Sequence, residues 1–68
     1  MTEFKLKAEF IPLIGLLKAA HLVSTGGEAQ IAVSAGQVRC NGEVELRKRF
    51  KVRRGFTVEY KGQKIQVG

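Results

Sequence analysis

Ser24-Thr25-Gly26-Gly27-Glu28-Ala29-Gln30-Ile31-Ala32-Val33-Ser34-Ala35-Gly36-Gln37-Val38-Arg39-Cys40-Asn41-Gly42 is the stretch on which the architecture turns. Thr25 and Glu28 stand three apart ahead of an apolar run, the spacing of a capping box with Thr25 as N-cap. Ala29, Ile31, Ala32 and Val33 then fill a short helix, and Gly36 is placed to end it in a left-handed C-terminal cap. From Gln37 the apolar period drops to two. Val38 and Cys40 precede Asn41-Gly42, and Val44 and Leu46 follow it. Asn-Gly between alternating segments is a strong hairpin signal, because both turn residues must take positive φ.

A helix this short depends on packing against another, and the partner lies just upstream. Leu13, Leu16, Leu17 and Ala20 have helical spacing, and Pro12 suits the first turn. The helix is expected from Leu13 to His21, weakened a little by Gly15. Before it, Phe4, Leu6 and Ala8 alternate with Lys5, Lys7 and Glu9, which predicts a strand from Glu3 to Phe10 with one buried side. Downstream of the hairpin comes Arg47-Lys48-Arg49-Phe50-Lys51-Val52-Arg53-Arg54, and Gly55 turns the chain. Phe56, Val58 and Tyr60 then alternate with Thr57 and Glu59. Lys61-Gly62 makes a further turn, and Ile65 and Val67 mark a last strand. The order predicts an α+β domain, with two short helices packed on one side of a small, mainly antiparallel sheet of about four or five strands.

A chain of 68 residues is expected to form one domain spanning residues 1–68. Such a domain buries only about 60% of the surface its unfolded chain exposes, so a deep, enclosed active site is hard to build. With 44% hydrophobic and 26% charged residues, the composition is that of a folded protein. The single cysteine cannot make an internal disulfide, which points to a reducing compartment. No apolar run approaches the roughly 18 residues of a membrane span, and the first residues lack the pattern of a signal peptide. The expectation is a soluble, cytoplasmic protein with no membrane contact.

Charge gives the first functional direction. Twelve Lys and Arg stand against six acidic residues, all Glu, for a net charge of +6. An excess of this size attracts polyanions, although solubility alone would also account for it. Seven of the basic residues are Arg39, Arg47, Lys48, Arg49, Lys51, Arg53 and Arg54, opposed in that window only by Glu43 and Glu45. Guanidinium groups suit bidentate phosphate contacts and stacking on bases, and each phosphate neutralised makes affinity salt-dependent. The bland alternative is a solvated face. Ser24-Thr25-Gly26-Gly27 carries two readings of equal standing: open backbone amides at a helix N-terminus that attract a phosphate, or plain capping of a tight turn.

Catalytic and metal chemistry find no support. His21 is the only histidine and reads as a helix-end residue favoured by the dipole. Cys40 lies in a strand and reads as core. No Glu is paired with His or Cys as a general acid–base site would need. Neither catalytic residues, metal ligands nor cofactors are expected. Among the aromatics, Phe50, inside the basic stretch, is the best candidate for an exposed ring on which a base could stack.

The run from Leu22 to Gln30, then Gly36-Gln37-Val38-Arg39-Cys40-Asn41-Gly42, then Val52-Arg53-Arg54-Gly55, resembles the alpha-L RNA-binding domain named after small-subunit ribosomal protein S-four. That family's pattern is a helix, a Ser-Arg-x-x-Ala-Arg turn opening a second helix, a Gly-x-Val-x-Val-Asn-Gly strand and turn, and a later Val-x-x-Gly-Asp. The resemblance covers residues 13–60. The Gly-Gly-Glu-Ala form and the small size are most similar to a stand-alone bacterial YbcJ-like subgroup. It implies the alpha-L motif fold and a role as an RNA-docking module, with Ser24, Thr25, Gly26, Gly27, Gln30, Arg39 and Asn41 at the matching RNA-facing positions. The chain departs from the pattern at Gly26 and Gln30, where the family has Arg, at Pro12-Leu13-Ile14, where it has Arg-Leu-Asp, and at Phe56, where it has Asp. These departures move the expected weight of binding toward Arg47, Lys48, Arg49, Lys51, Arg53 and Arg54.

The leading expectation is therefore a non-catalytic, ribosome-associated or tRNA-associated binder of structured RNA, acting as a monomer. Shape and phosphates would be read rather than a base sequence. The alternative from another class is a protein-interaction module docking an acidic partner, with RNA contact incidental. Duplex DNA is disfavoured because the second helix offers little beyond Gln30 to read base edges.

Overall fold

The computed structural model describes residues 2–68. In chain order the elements are β1 (Thr2–Phe4), β2 (Ile11–Pro12), α1 (Leu13–Ala19), α2 (Gly26–Ser34), β3 (Val38–Cys40), β4 (Glu43–Val44), β5 (Lys51–Val52), β6 (Thr57–Tyr60) and β7 (Gln63–Val67). Five strands form one mixed sheet in the order β1-β7-β6-β3-β4, while β2 and β5 pair separately. Only the β1–β7 pair in the larger sheet is parallel. The two helices pack on this sheet, as the periodicity predicts.

Both helices end in the same way. At the end of α2, Gln37 N–H donates to Ala32 O and Gly36 N–H to Val33 O, each at 3.1 Å, with Gly36 at φ 73°. This is the Schellman arrangement, and it uses glycine where the backbone turns left-handed. At the end of α1, Leu22 N–H donates to Leu17 O at 2.9 Å and His21 N–H to Lys18 O at 3.1 Å. Here the left-handed position, φ 61°, is filled by His21. His21 stands at the helix end, where it also fills the left-handed position.

The hairpin signals resolve as expected. Asn41 and Gly42 have φ 53° and 88°, and Lys61 and Gly62 have φ 51° and 79°. Cys40 faces Glu43 across the first turn, and Tyr60 faces Gln63 across the second. Both loops have two residues with positive φ, matching the twist of the strands they join. The core forms between Leu13, Leu16 and Leu17 of α1, Ala29, Ala32 and Val33 of α2, and Val38, Val58, Ile65 and Val67 of the sheet, all essentially inaccessible to solvent.

One expectation is corrected. The first strand ends at Phe4, not Phe10. Its partner β7 stops at Val67, so the ladder closes with Gly68 N–H on Phe4 O and Leu6 N–H on Gly68 O. Leu6 is still buried, but Ala8 is exposed. Ile31 is 70% exposed. The buried stripe of α2 is Ala29, Ala32 and Val33, at i, i+3 and i+4, and Ile31 falls off that stripe. Val44 and Leu46 also face solvent, because β4 is a two-residue edge strand with nothing beyond it.

Candidate nucleic-acid interface

The basic stretch is not a free loop. Leu13 N–H donates to Phe50 O at 2.9 Å and Ile14 N–H to Lys48 O at 3.1 Å. Pro12, at the N-cap of α1, has no capping side chain, so carbonyls of the basic stretch satisfy the first-turn amides that a helix leaves open. Immediately after, Lys51-Val52 pairs with Ile11-Pro12. Residues 48–52 are thus tied by backbone to α1 and β2, while the side chains of Lys48, Arg49 and Lys51 stay exposed.

Within this frame the seven clustered cations have different local roles. Arg47 is bound by Glu45: its Nε donates to Oε2 at 2.9 Å and its Nη2 to Oε1 at 3.1 Å, while its backbone N–H also reaches Oε2 at 3.0 Å. The hydrogen bond from Arg47 holds the Glu45 carboxyl below the usual carboxylate range, and the same pairing raises the Arg47 guanidinium. Arg54 turns back onto the chain, with Nη2 donating to Leu6 O at 2.7 Å. Arg39 lies on the outer face of the sheet, opposite Val44 on one side and Glu59 on the other. Its Nη1 is 3.5 Å from Gly42 O. Lys48, Arg49, Lys51 and Arg53 make no ion pair among the described residues and are exposed.

Two shallow concavities flank the stretch. One, of about 570 Å³, has Phe50 and Phe56 in its lining, together with Arg47, Arg49, Lys51 and Arg53. The other, of about 420 Å³, brings Lys48 against Gly27, Gln30, Ile31 and Ser34 of α2. Lys48 is therefore the residue that joins the basic stretch to the helix surface.

At the N-terminus of α2 the capping reading holds. Thr25 Oγ1 accepts the Glu28 N–H at 3.1 Å, and Glu28 Oε1 accepts the Ser24 N–H at 2.8 Å. The return bond thus goes to Ser24, one residue before the N-cap. Ala29 N–H reaches Thr25 O at 3.1 Å. Gly26 and Gly27 supply the first two amides, which have no partner within a helix. A Cβ at Gly26 would meet nothing within 4 Å, and one at Gly27 only Thr25 Oγ1 at 4.0 Å. Packing within the chain does not require glycine at either position. The Glu28 carboxylate in this first turn favours the helix but also opposes an incoming anion.

Asn41 is committed to the fold. Its backbone N–H donates to Thr57 O at 2.7 Å, and its Oδ1 accepts the Thr57 N–H at 2.9 Å. Among the aromatics, Phe50 is half-buried against the core, not freely exposed, with its ring 6.0 Å from that of Phe56. The ring that stands out is Phe10, 37% exposed. Lys51 Nζ lies 4.9 Å from its centroid and Arg53 Cζ 5.9 Å. No local signal marks Phe10: the alternation from Phe4 assigns it to the buried side, and only the early end of β1 releases it.

Burial, and secondarily the charge of Glu45, push the Cys40 thiol up to about 11. At neutral pH it is a neutral core group, not a nucleophile. No cluster of three or more His, Cys, Asp or Glu that could hold a metal occurs among the described residues. None of their helices is long and apolar enough to cross a membrane.

Comparison with known proteins agrees with this fold. The S4 domain model matches residues 4–68. YbcJ of Escherichia coli (strain K12) is 41% identical over 68 residues, covering 98% of this chain and 97% of that protein, and YbcJ of Shigella flexneri matches to the same extent. The solution structure of E. coli YbcJ, described as revealing an alfaL motif involved in RNA-binding, superposes with a TM-score of 0.76 over 98% of this chain and 86% of that one. The crystal structure of 30S ribosomal protein S4e from Thermoplasma acidophilum gives a TM-score of 0.72 at 22% identity, over 85% of this chain and 31% of that protein, which is a likeness of fold.

Proposed function

This chain belongs to the S4 domain family, and from that premise we propose that it binds structured RNA, either ribosomal or transfer RNA, through the basic stretch and the neighbouring end of α2. The domain is non-enzymatic, and the proposed role is docking. One observation carries the reading: Lys48, Arg49 and Lys51, on backbone tied to α1 and β2, and the adjacent Arg53 are exposed and make no ion pair among the described residues. Cations on and beside backbone so tied can meet several phosphates of one RNA strand at a smaller entropic cost of ordering. Lys48 beside Gly27 and Gln30 extends that surface toward the open amides of α2. A-form RNA offers its phosphates and 2′-hydroxyls across a wide, shallow minor groove, which suits recognition by shape. The proposal includes a cytoplasmic monomer that meets its RNA on the ribosome or on tRNA.

The test is crosslinking of a tagged copy in cells, with sequencing of the bound RNA, against a variant carrying Lys48→Glu, Arg49→Glu and Arg53→Glu. A sharp peak on one structured RNA that disappears in the variant is the expected result. A diffuse background equal in both, with protein partners that survive nuclease treatment, would replace RNA by an acidic protein as the ligand.

A further inference from the structure

Arg47 is built differently from the other cations of the stretch, and the difference assigns it another task. A phosphate-binding arginine offers the edge of its guanidinium, where two N–H groups point in parallel. In Arg47 one such edge is occupied: Nε and Nη2 are bound to the two oxygens of Glu45 at 2.9 and 3.1 Å. One side of the group is covered as well, since Cζ lies 4.8 Å from the centroid of the Phe50 ring. Phe50 is itself braced by Phe56, with ring centroids 6.0 Å apart and planes tilted by 36°. The side chain nevertheless remains 73% exposed. What stays open is the end of the group, with both N–H groups of Nη1 and one of Nη2, and the side turned away from Phe50. A flat, charged group held at its edge and from beneath resembles a platform more than a clamp.

We infer that Arg47, fixed by Glu45 and Phe50, is a stacking platform for an unpaired RNA base, with Arg49, Lys51 and Arg53 holding the phosphates on either side of that nucleotide. The inference rests on the RNA-binding reading above and names the feature of the RNA that the site selects. Charge complementarity supports the occupant. The adjoining concavity is shallow and open, with a volume of about 570 Å³. Its lining pairs aromatic rings with cations, as a nucleotide's base and phosphate require. Guanidinium planes stack on unpaired bases in RNA recognition, and a base in a duplex keeps its faces covered by its neighbours. Selection for a bulged or looped nucleotide follows.

The experiment uses the full chain and two RNA hairpins, identical except that one carries a single unpaired 2-aminopurine. The wild type is expected to bind the bulged hairpin about 10-fold more tightly, in line with the usual contribution of stacking on a side chain, and to change the probe's fluorescence. Arg47→Lys keeps the charge and loses the plane, so the preference should fall toward one while affinity for the paired hairpin and its salt dependence persist. Glu45→Ala should also reduce the preference, because the platform loses its hold. If Arg47→Lys retains the preference, or Glu45→Ala strengthens binding to both hairpins equally, Arg47 is an ordinary phosphate ligand and the inference fails while RNA binding stands. Displacement of the bulged RNA by a glutamate-rich peptide at matched charge would give the groove to an acidic protein. Failure of the wild type to bind either hairpin would remove the RNA-binding reading itself.

Discussion

The carbonyl oxygen of Lys48 accepts the N–H of Ile14 at 3.1 Å, so one residue closes the first turn of α1 with its backbone and offers its ammonium to solvent. Anchorage and charge reside in separate parts of the residue. Replacing the side chain of Lys48 or Arg49 therefore should not loosen the loop.

Lys48→Glu and Arg49→Glu together are expected to weaken RNA binding and to lower the slope of log affinity against log salt by about 2, one for each phosphate no longer neutralised. The unfolding free energy should change by no more than about 0.5 kcal/mol, as for other surface substitutions. Arg54→Ala should show the opposite pattern. Its guanidinium bonds Leu6 O at 2.7 Å, and removing a charged hydrogen bond costs about 1.5–3 kcal/mol. Salt titrations and urea melts of both variants distinguish the two behaviours; an unchanged salt slope in the first would exclude those side chains from phosphate binding.

Glu28→Gln separates capping from charge. Glutamine keeps an oxygen for the Ser24 N–H, now accepted by Glu28 Oε1 at 2.8 Å, but removes the negative charge beside the amides of Gly26 and Gly27. Stability should drop by about 0.3–1 kcal/mol, the helix-dipole contribution, while RNA affinity rises. Thr25→Ala, by contrast, should cost about 1 kcal/mol of stability because the N-cap bond is removed. An affinity unmoved by Glu28→Gln would place the RNA away from the α2 N-terminus.

His21→Gly should stabilise the protein. A left-handed non-glycine residue costs about 1–2 kcal/mol, and the added freedom of glycine in the unfolded chain returns about 0.5–1 kcal/mol. A net gain of about 0.5–1 kcal/mol is expected, read as a higher midpoint in urea. A decrease would mean that the imidazole makes a contribution the backbone geometry does not reveal.

Cys40 sets an alkaline limit. Its folded-state value of about 11 lies above the ordinary thiol value of about 8.5, so the native state binds the proton more tightly. The neutral thiol fits the core fully below about pH 8.5. Stability then falls as pH rises toward about 11, where the folded thiol ionises. Cys40→Ala should flatten this part of the profile, and the native thiol should resist alkylation at neutral pH. Rapid alkylation of the folded protein at pH 7 would contradict the burial.

Local chemistry alone determined much of the fold. Thr25 and Glu28 specify a helix start, Gly36 its end, and Asn41-Gly42 and Lys61-Gly62 two hairpin turns, because each signal acts over a few residues and depends on backbone preferences. The basic stretch, with its excess of charge, and the family resemblance were equally legible. Tertiary structure decided what local pattern could not. β1 ends at Phe4 because its partner β7 runs out, and that frees Phe10. Ile31 faces solvent because α2 buries the stripe of Ala29, Ala32 and Val33 and packs against α1, and Ile31 lies off that stripe. Asn41 is tied to Thr57, Arg54 to Leu6 O, and one edge of Arg47 to Glu45, while Lys48, Arg49, Lys51 and Arg53 make no ion pair among the described residues. Sequence determined the number and kind of charges; only the positions of distant backbone and side-chain groups decided which of them remain open to a ligand.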